Sequence, residues 1–138
     1  MKMNRRQFIY YWMPVISLCI AIFVESCFPS PKLGPSFPMK DKVLHMLAYG
    51  LLAILFYRAS RLTWPGRLSP MLLLVVSVLF ATFYGATDEF HQSFVAARTA
   101  DVLDGLADFI GSILGAWGYM TLIAKSDLAR TRNTRRSG

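Results

Sequence analysis

Five carboxylates are the residues best placed to do chemistry in this chain. Asp88 and Glu89 close one apolar run, and Asp101, Asp104 and Asp108 open the next. The protein as a whole is basic, with a formal net charge of +7, so an acidic cluster here runs against the overall composition. Ionisable groups at the ends of hydrophobic segments are costly unless they are paired, solvated or functional. Neighbouring carboxylates can serve as acid and base or accept sugar hydroxyls. Candidate cations to balance them are Lys42, His45 and Arg98. A guanidinium such as that of Arg98 holds a carboxylate or a phosphate through two parallel hydrogen bonds.

Spacing assigns these groups to helix faces. Asp41, His45 and Tyr49 recur at i, i+4 and i+8, one face of a helix. Tyr84, Asp88 and His91 fall at i, i+4 and i+7, a second stripe, with Gln92 just beyond. Asp101, Asp104, Asp108, Gly111 and Gly115 fall within a narrow arc of a third helix. Gly111-Ser-Ile-Leu-Gly115 is a small-xxx-small pattern that lets a neighbouring helix approach closely. The arc that packs closely therefore also carries the acids, which should face the bundle and not lipid. Asp108 is the deepest, about 6 Å below Asp104 by helical rise.

No catalytic residue stands out by motif. His45, Asp88, Glu89 and His91 are suitable ligand types, but there is no H-E-x-x-H or Cys-x-x-Cys spacing. Asp88 and Glu89 project about 100° apart on a helix. No metal and no cofactor are expected. Ser93 lies outside any nucleophile elbow. Cys19 and Cys27 are about 12 Å apart along one helix, too far for a disulfide within it. Cys19 reads as a small buried residue, and Val24-Glu25-Ser26 before Cys27 is a poor lipidation signal.

The elements that position these residues follow from hydropathy. The chain has 138 residues, 54% of them hydrophobic, and a mean hydropathy of +0.40. That excludes an ordinary soluble domain. About 20 apolar residues cross a bilayer, so the expectation is an all-α integral membrane four-helix bundle with short loops, forming a single domain over 1–138. Helices are expected over about 8–27, 41–58, 70–90 and 101–124. The first run is read as a retained transmembrane helix rather than a cleaved signal peptide, because it lacks a small-x-small cleavage site. Arg5-Arg6 before it reads as a positive flank, not a twin-arginine export signal. Pro14 should bend this helix locally. Residues 28–40 carry four prolines and read as an extended loop. Arg58 to Ser69 reads as a loop with an aromatic anchor, Trp64. Residues 125–138 read as a basic disordered tail.

Orientation follows from charge. Lys2, Arg5, Arg6, Arg58, Arg61, Arg67 and the five cations of the tail share one side, eleven of the fifteen Lys and Arg. The positive-inside rule puts that side, with both termini, in the cytoplasm. Seven of the eight acids, all except Asp127, then fall at the other face. A basic chain in soluble form would suggest nucleic acid; here the cations flank membrane spans, and no nucleic-acid partner is expected.

The residues Asp41-Lys42-x-x-His45-x-x-x-Tyr49, Tyr84-Gly85-x-x-Asp88-Glu89-x-x-Gln92, and then Arg98 with Asp104, Gly111 and Gly115, resemble the VanZ-like family of small bacterial membrane proteins. The resemblance covers roughly 41–118, the motif core. The family often has Pro-Gly where this chain has Ala96-Ala97, and Asn where it has Asp108. The resemblance implies a multi-span protein of the bacterial cytoplasmic membrane with no assigned cofactor. It also implies a distant link to glycopeptide resistance, since the founding member is tied to teicoplanin.

The function expected from the sequence is binding of an envelope component at an extracytoplasmic polar pocket, the head group of a lipid-linked precursor or an anionic polymer. Its residues would be Asp41, Lys42, His45, Tyr49, Tyr84, Asp88, Glu89, Gln92, Arg98, Asp101, Asp104 and Asp108. Membrane lipids are the expected partners, and the sequence leaves homo-oligomerisation open. Three other readings stand beside it. One is an ion-pair network that only fixes helix ends. Another is a membrane-embedded hydrolase or transferase with Glu89 or Asp88 as base. The third is a proton-coupled carrier using Asp108.

Overall fold

A computed structural model describes residues 3–28, 39–95 and 101–136, with side chains through Asp127. Four helices make up these residues: α1 Arg5–Ser26, α2 Lys40–Thr63, α3 Pro70–Gln92 and α4 Val102–Arg136. Each has a stretch long and apolar enough to cross a membrane. At 1.5 Å per residue, a helix of 22 to 24 residues runs about 33–36 Å, enough for the hydrocarbon core.

Local chemistry sets the helix starts. Asn4 caps α1 through a reciprocal pair with Gln7: Gln7 N donates to Asn4 Oδ1 at 2.8 Å and Asn4 N to Gln7 Oε1 at 3.0 Å. Ser69 accepts from Leu72 N at 3.1 Å, and Pro70 fills the first position of α3, where its missing N–H is not needed. Asp101 Oδ1 accepts from Leu103 N at 2.9 Å and so starts α4. Met39 precedes α2 with φ 67°, in the left-handed region, without a side-chain cap.

The ends run further than hydropathy alone indicates. The arginine-bearing segment after Arg58 stays helical to Thr63, because the first breakers are Pro65 and Gly66; Gly66 turns with φ 72°. Pro14 lies within α1. The tail is a correction to the expected disorder: α4 continues from Lys125 to Arg136. Residues 125–136 contain no Gly or Pro, and Lys, Leu, Ala and Arg are good helix formers. The four-proline segment lies mostly outside the described residues.

Packing is that of a membrane bundle. Large apolar side chains face outward, among them Ile20, Leu79, Phe83 and Leu114, while Ala53, Ala59, Ala81, Ala107 and Ala116 lie inside with Tyr49 and Leu52. Small residues let helix backbones approach where hydrocarbon offers no hydrophobic drive. Two buried hydroxyls bond back to their own helix: Ser77 Oγ donates to the Leu73 carbonyl and Ser112 Oγ to that of Asp108, both at 2.6 Å.

The most extensive contact joins α2 and α4. There the Gly111-xxx-Gly115 stripe meets Gly50. A Cβ on Gly111 would meet the backbone of Met46, and one on Gly115 the backbone of Gly50. α1 packs on α2 and α3 and not on α4. Trp12 Nε1 anchors it by donating to Thr63 Oγ1 at 3.0 Å. The alternating directions put the end of α1, the start of α2, the end of α3 and the start of α4 at one end of the bundle.

Candidate polar site at the acidic end of the bundle

Three helices deliver the cluster. Lys42 of α2 reaches across to α4, where Nζ donates to Asp101 Oδ2 at 2.6 Å and to Asp104 Oδ1 at 3.0 Å. One turn deeper, His45 Nδ1 donates to Asp108 Oδ1 at 3.0 Å. Asp108 is only 1% exposed. A further turn along α2, the Tyr49 hydroxyl donates to Asp88 Oδ2 of α3 at 3.2 Å, and Gln92 Nε2 donates to the same oxygen at 3.0 Å. The rings of His45 and Tyr49 stack, 6.0 Å between centroids. Glu89 Oε2 accepts from the Asp101 backbone N–H at 3.0 Å and so ties α3 to the start of α4.

The expected residues divide into those inside this network and those outside it. Lys42, His45, Tyr49, Asp88, Glu89, Gln92, Asp101, Asp104 and Asp108 each make a hydrogen bond or ion pair within it. Asp41 is an exposed acid in the first turn of α2 and stands apart. The α3 stripe splits between two neighbours. Tyr84 turns to α1, its hydroxyl donating to the Cys19 carbonyl at 2.7 Å. His91 also faces α1, with Nε2 3.5 Å from Cys27 Sγ and its ring against Phe23. Asp88 faces α2, and the Tyr84 ring also lies 6.5 Å from that of Tyr49. Arg98 lies outside the described residues. Both cysteines are free thiols.

Glycines at 50 and 85 complete the site. Gly50 makes room for α4. A Cβ at Gly85 would collide with the Asp108 carboxylate, so the depth of Asp108 in the bundle depends on that position being bare. Gly85 stood within the motif; Gly50 carried no sequence signal, because its partner stripe lies sixty residues away.

The network satisfies most of its members but not all. Asp108 Oδ2 and Glu89 Oε1 are shielded from solvent and have no hydrogen-bond partner among the described residues. Buried acceptors are seldom left so. One donor atom each of His45, Glu89 and Asp104 lies within 4.8 Å of the others. Asp88 and Glu89 do diverge, as their adjacency on a helix requires. Two surface concavities lie away from these residues. One, at the opposite end, is lined by Arg58, Arg61, Tyr119 and Ile123; the other is an apolar groove along α1.

Outside the spans, Lys42 donating to Asp101, with help from the Leu103 N–H, holds the Asp101 carboxyl below its ordinary range. A carboxyl depressed in the folded state contributes stability that is complete above its ordinary value and lost as pH falls through the folded one. Melting of the detergent-solubilised protein should therefore fall with acidification below about pH 4, and Asp101→Asn should flatten that part of the profile. An unchanged acid limb in the variant would assign it to other groups.

The opposite end is basic. Arg58 lies 4.7 Å over the Tyr10 ring, and Arg61 pairs with Asp127 at 2.8 Å.

An uncharacterised protein, C11E3.10, of Schizosaccharomyces pombe (strain 972 / ATCC 24843) is 35% identical over 99 residues, covering 69% of this chain and 58% of that protein. This chain thus spans less than two thirds of its relative, and a relative in a yeast means that ancestry alone does not assign a bacterial membrane. No solved structure matches. The four apolar helices, the small-residue seam between α2 and α4 and the ordered Lys42, His45, Asp88-Glu89 and Asp104 pattern agree with the sequence match over residues 20–124: the chain is a multi-pass membrane protein that belongs to the VanZ/LLP1 family.

Proposed function

We propose that the acidic end of the bundle binds the polar head of a membrane-linked envelope component, a lipid-linked precursor or an anionic polymer. The observation that carries this reading is the pair of unsatisfied buried acceptors, Glu89 Oε1 and Asp108 Oδ2, inside an otherwise bonded network. Fixing helix ends needs paired groups; it gives no reason to bury acceptors without donors. A hydroxyl-rich head group supplies donors, and Lys42 and Arg98 are the cations suited to its phosphate.

In this reading the basic end, with both termini, faces the cytoplasm of a bacterium, and the acidic end faces the envelope. Altered head-group handling would change envelope composition and glycopeptide access.

The test is lipid mass spectrometry on protein extracted gently with its native lipids. Wild type should retain one class of head group above bulk membrane levels. Glu89→Gln and Arg98→Ala should lose it while inserting normally. Retention of bulk lipid alone by wild type, or equal retention by the variants, rules the reading out.

A hydrolase or transferase is the second reading, supported by the free oxygen of Glu89 beside the His45–Asp108 pair. It requires turnover of lipid-linked pyrophosphates by the purified protein.

A further inference from the structure

Three side chains, one from each of three helices, are held by one atom and free at the other. His45 of α2 uses Nδ1 on Asp108, Glu89 of α3 uses Oε2 on the Asp101 N–H, and Asp104 of α4 uses Oδ1 on Lys42. No hydrogen bond among the described residues engages His45 Nε2, Glu89 Oε1 or Asp104 Oδ2. One donor atom from each residue falls within 4.8 Å of the other two. Glu89 Oε1 is moreover buried without a donor.

We propose that His45, Glu89 and Asp104 bind a divalent transition-metal ion, of the Zn2+ or Mn2+ class, at the acidic end of the bundle. With metal–ligand bonds of about 2.0–2.2 Å, three donors around one ion lie roughly 3–4 Å from one another, so closing this set needs side-chain movements of about 1 Å. Two carboxylates neutralise the ion, and a neutral imidazole completes the set. The imidazole argues against Mg2+ and Ca2+, which prefer oxygen alone. Three protein ligands leave at least one position open, for water or a phosphate oxygen.

The supporting contacts fit the same role. A metal-binding histidine ordinarily donates its second N–H to a carboxylate, which fixes the ring and raises its basicity. Asp108, 1% exposed and bonded to Nδ1, occupies that position. Lys42 and the Asp101 N–H hold the two acidic ligands in the same way. Charge favours a cation too. Glu89, Asp101, Asp104 and Asp108 lie about Lys42 and His45, and even with Arg98 added the carboxylates remain in excess. The metal site goes beyond the head-group reading and needs only the protein and the ion.

The experiment is calorimetric titration of the full chain in detergent, stripped with chelator, with Zn2+ and with Mn2+. Wild type should bind one equivalent of at least one of them. Glu89→Gln and Asp104→Asn should each weaken binding at least tenfold. Asp108→Asn, which touches no ion, should weaken it about tenfold by loosening His45. Asp127→Asn, at the far end, should not change it. Absence of one-to-one binding by folded wild type, or wild-type affinity in both ligand variants, overturns the proposal. Should the variants not fold, the Co2+ spectrum of wild type decides. Nitrogen and oxygen ligation supports the site; a thiolate charge-transfer band places the ion at Cys27 and His91 and overturns it. Metal binding that persists while no head group is retained would refute the functional reading above and leave the metal site intact.

Discussion

Replacing His45 by leucine should lower the stability of the metal-stripped protein by about 3–5 kcal/mol, the range for removing one partner of a buried charged pair. Asp108 is 1% exposed, and the His45 Nδ1–H at 3.0 Å is the donor to its carboxylate. Its other oxygen has no partner among the described residues and rests against Gly85. Without His45, a carboxylate would remain inside the bundle with no donor at either oxygen. Asp108→Asn should cost much less. The amide keeps an oxygen for His45 and carries no charge, and the family often places Asn there. In the double variant the leucine should cost far less than in wild type, because no charge is left stranded. Unfolding of the four proteins in detergent, each stripped with chelator, closes the double-mutant cycle. Additivity within about 0.5 kcal/mol would mean that the two side chains do not depend on each other.

The helices and the acidic end were legible because their signals are local. Apolar runs, capping residues and prolines mark four spans, and the charge pattern sends seven acids to one end. The Gly111-xxx-Gly115 pattern announced a close helix contact, though not with which helix. Pairing was the illegible part. Whether Tyr84 and Asp88 face the same neighbour depends on how α3 is rotated between α1 and α2, and a stripe 60° wide falls across both. The structure sends Tyr84 to Cys19 and Asp88 to Tyr49. Likewise His45, Glu89 and Asp104 lie 44 and 15 positions apart in the sequence, so no motif spacing connects them. The basic tail misled because charge suggested disorder, whereas its residue types favour continuing an existing helix.

Gly111→Ala should be the most damaging of the single methyl additions, costing about 3 kcal/mol, the upper part of the usual range for overpacking. The added carbon would lie 2.8 Å from both C and Cα of Met46, and closer still to its carbonyl oxygen. All three atoms belong to a helix backbone, which has no rotamer by which to withdraw. The two helices must separate. Gly115→Ala meets the same obstacle at Gly50, with C at 2.8 Å and Cα at 2.9 Å. Gly118 supplies the control on the same helix, because a Cβ there meets nothing within 4 Å. Gly118→Ala should be neutral or stabilise by up to about 1 kcal/mol, through helix propensity alone. The damage at Gly111 should also spread to the polar site. Asp108 lies one turn above Gly111 on α4, and His45 is adjacent to Met46 on α2. Parting the helices there lengthens the His45–Asp108 and Lys42–Asp104 bonds together. The variant should therefore lose metal affinity as well as stability, while Gly118→Ala keeps both. If Gly111→Ala melts with Gly118→Ala, the α2 and α4 backbones are not in contact, and the site they hold between them loses its frame.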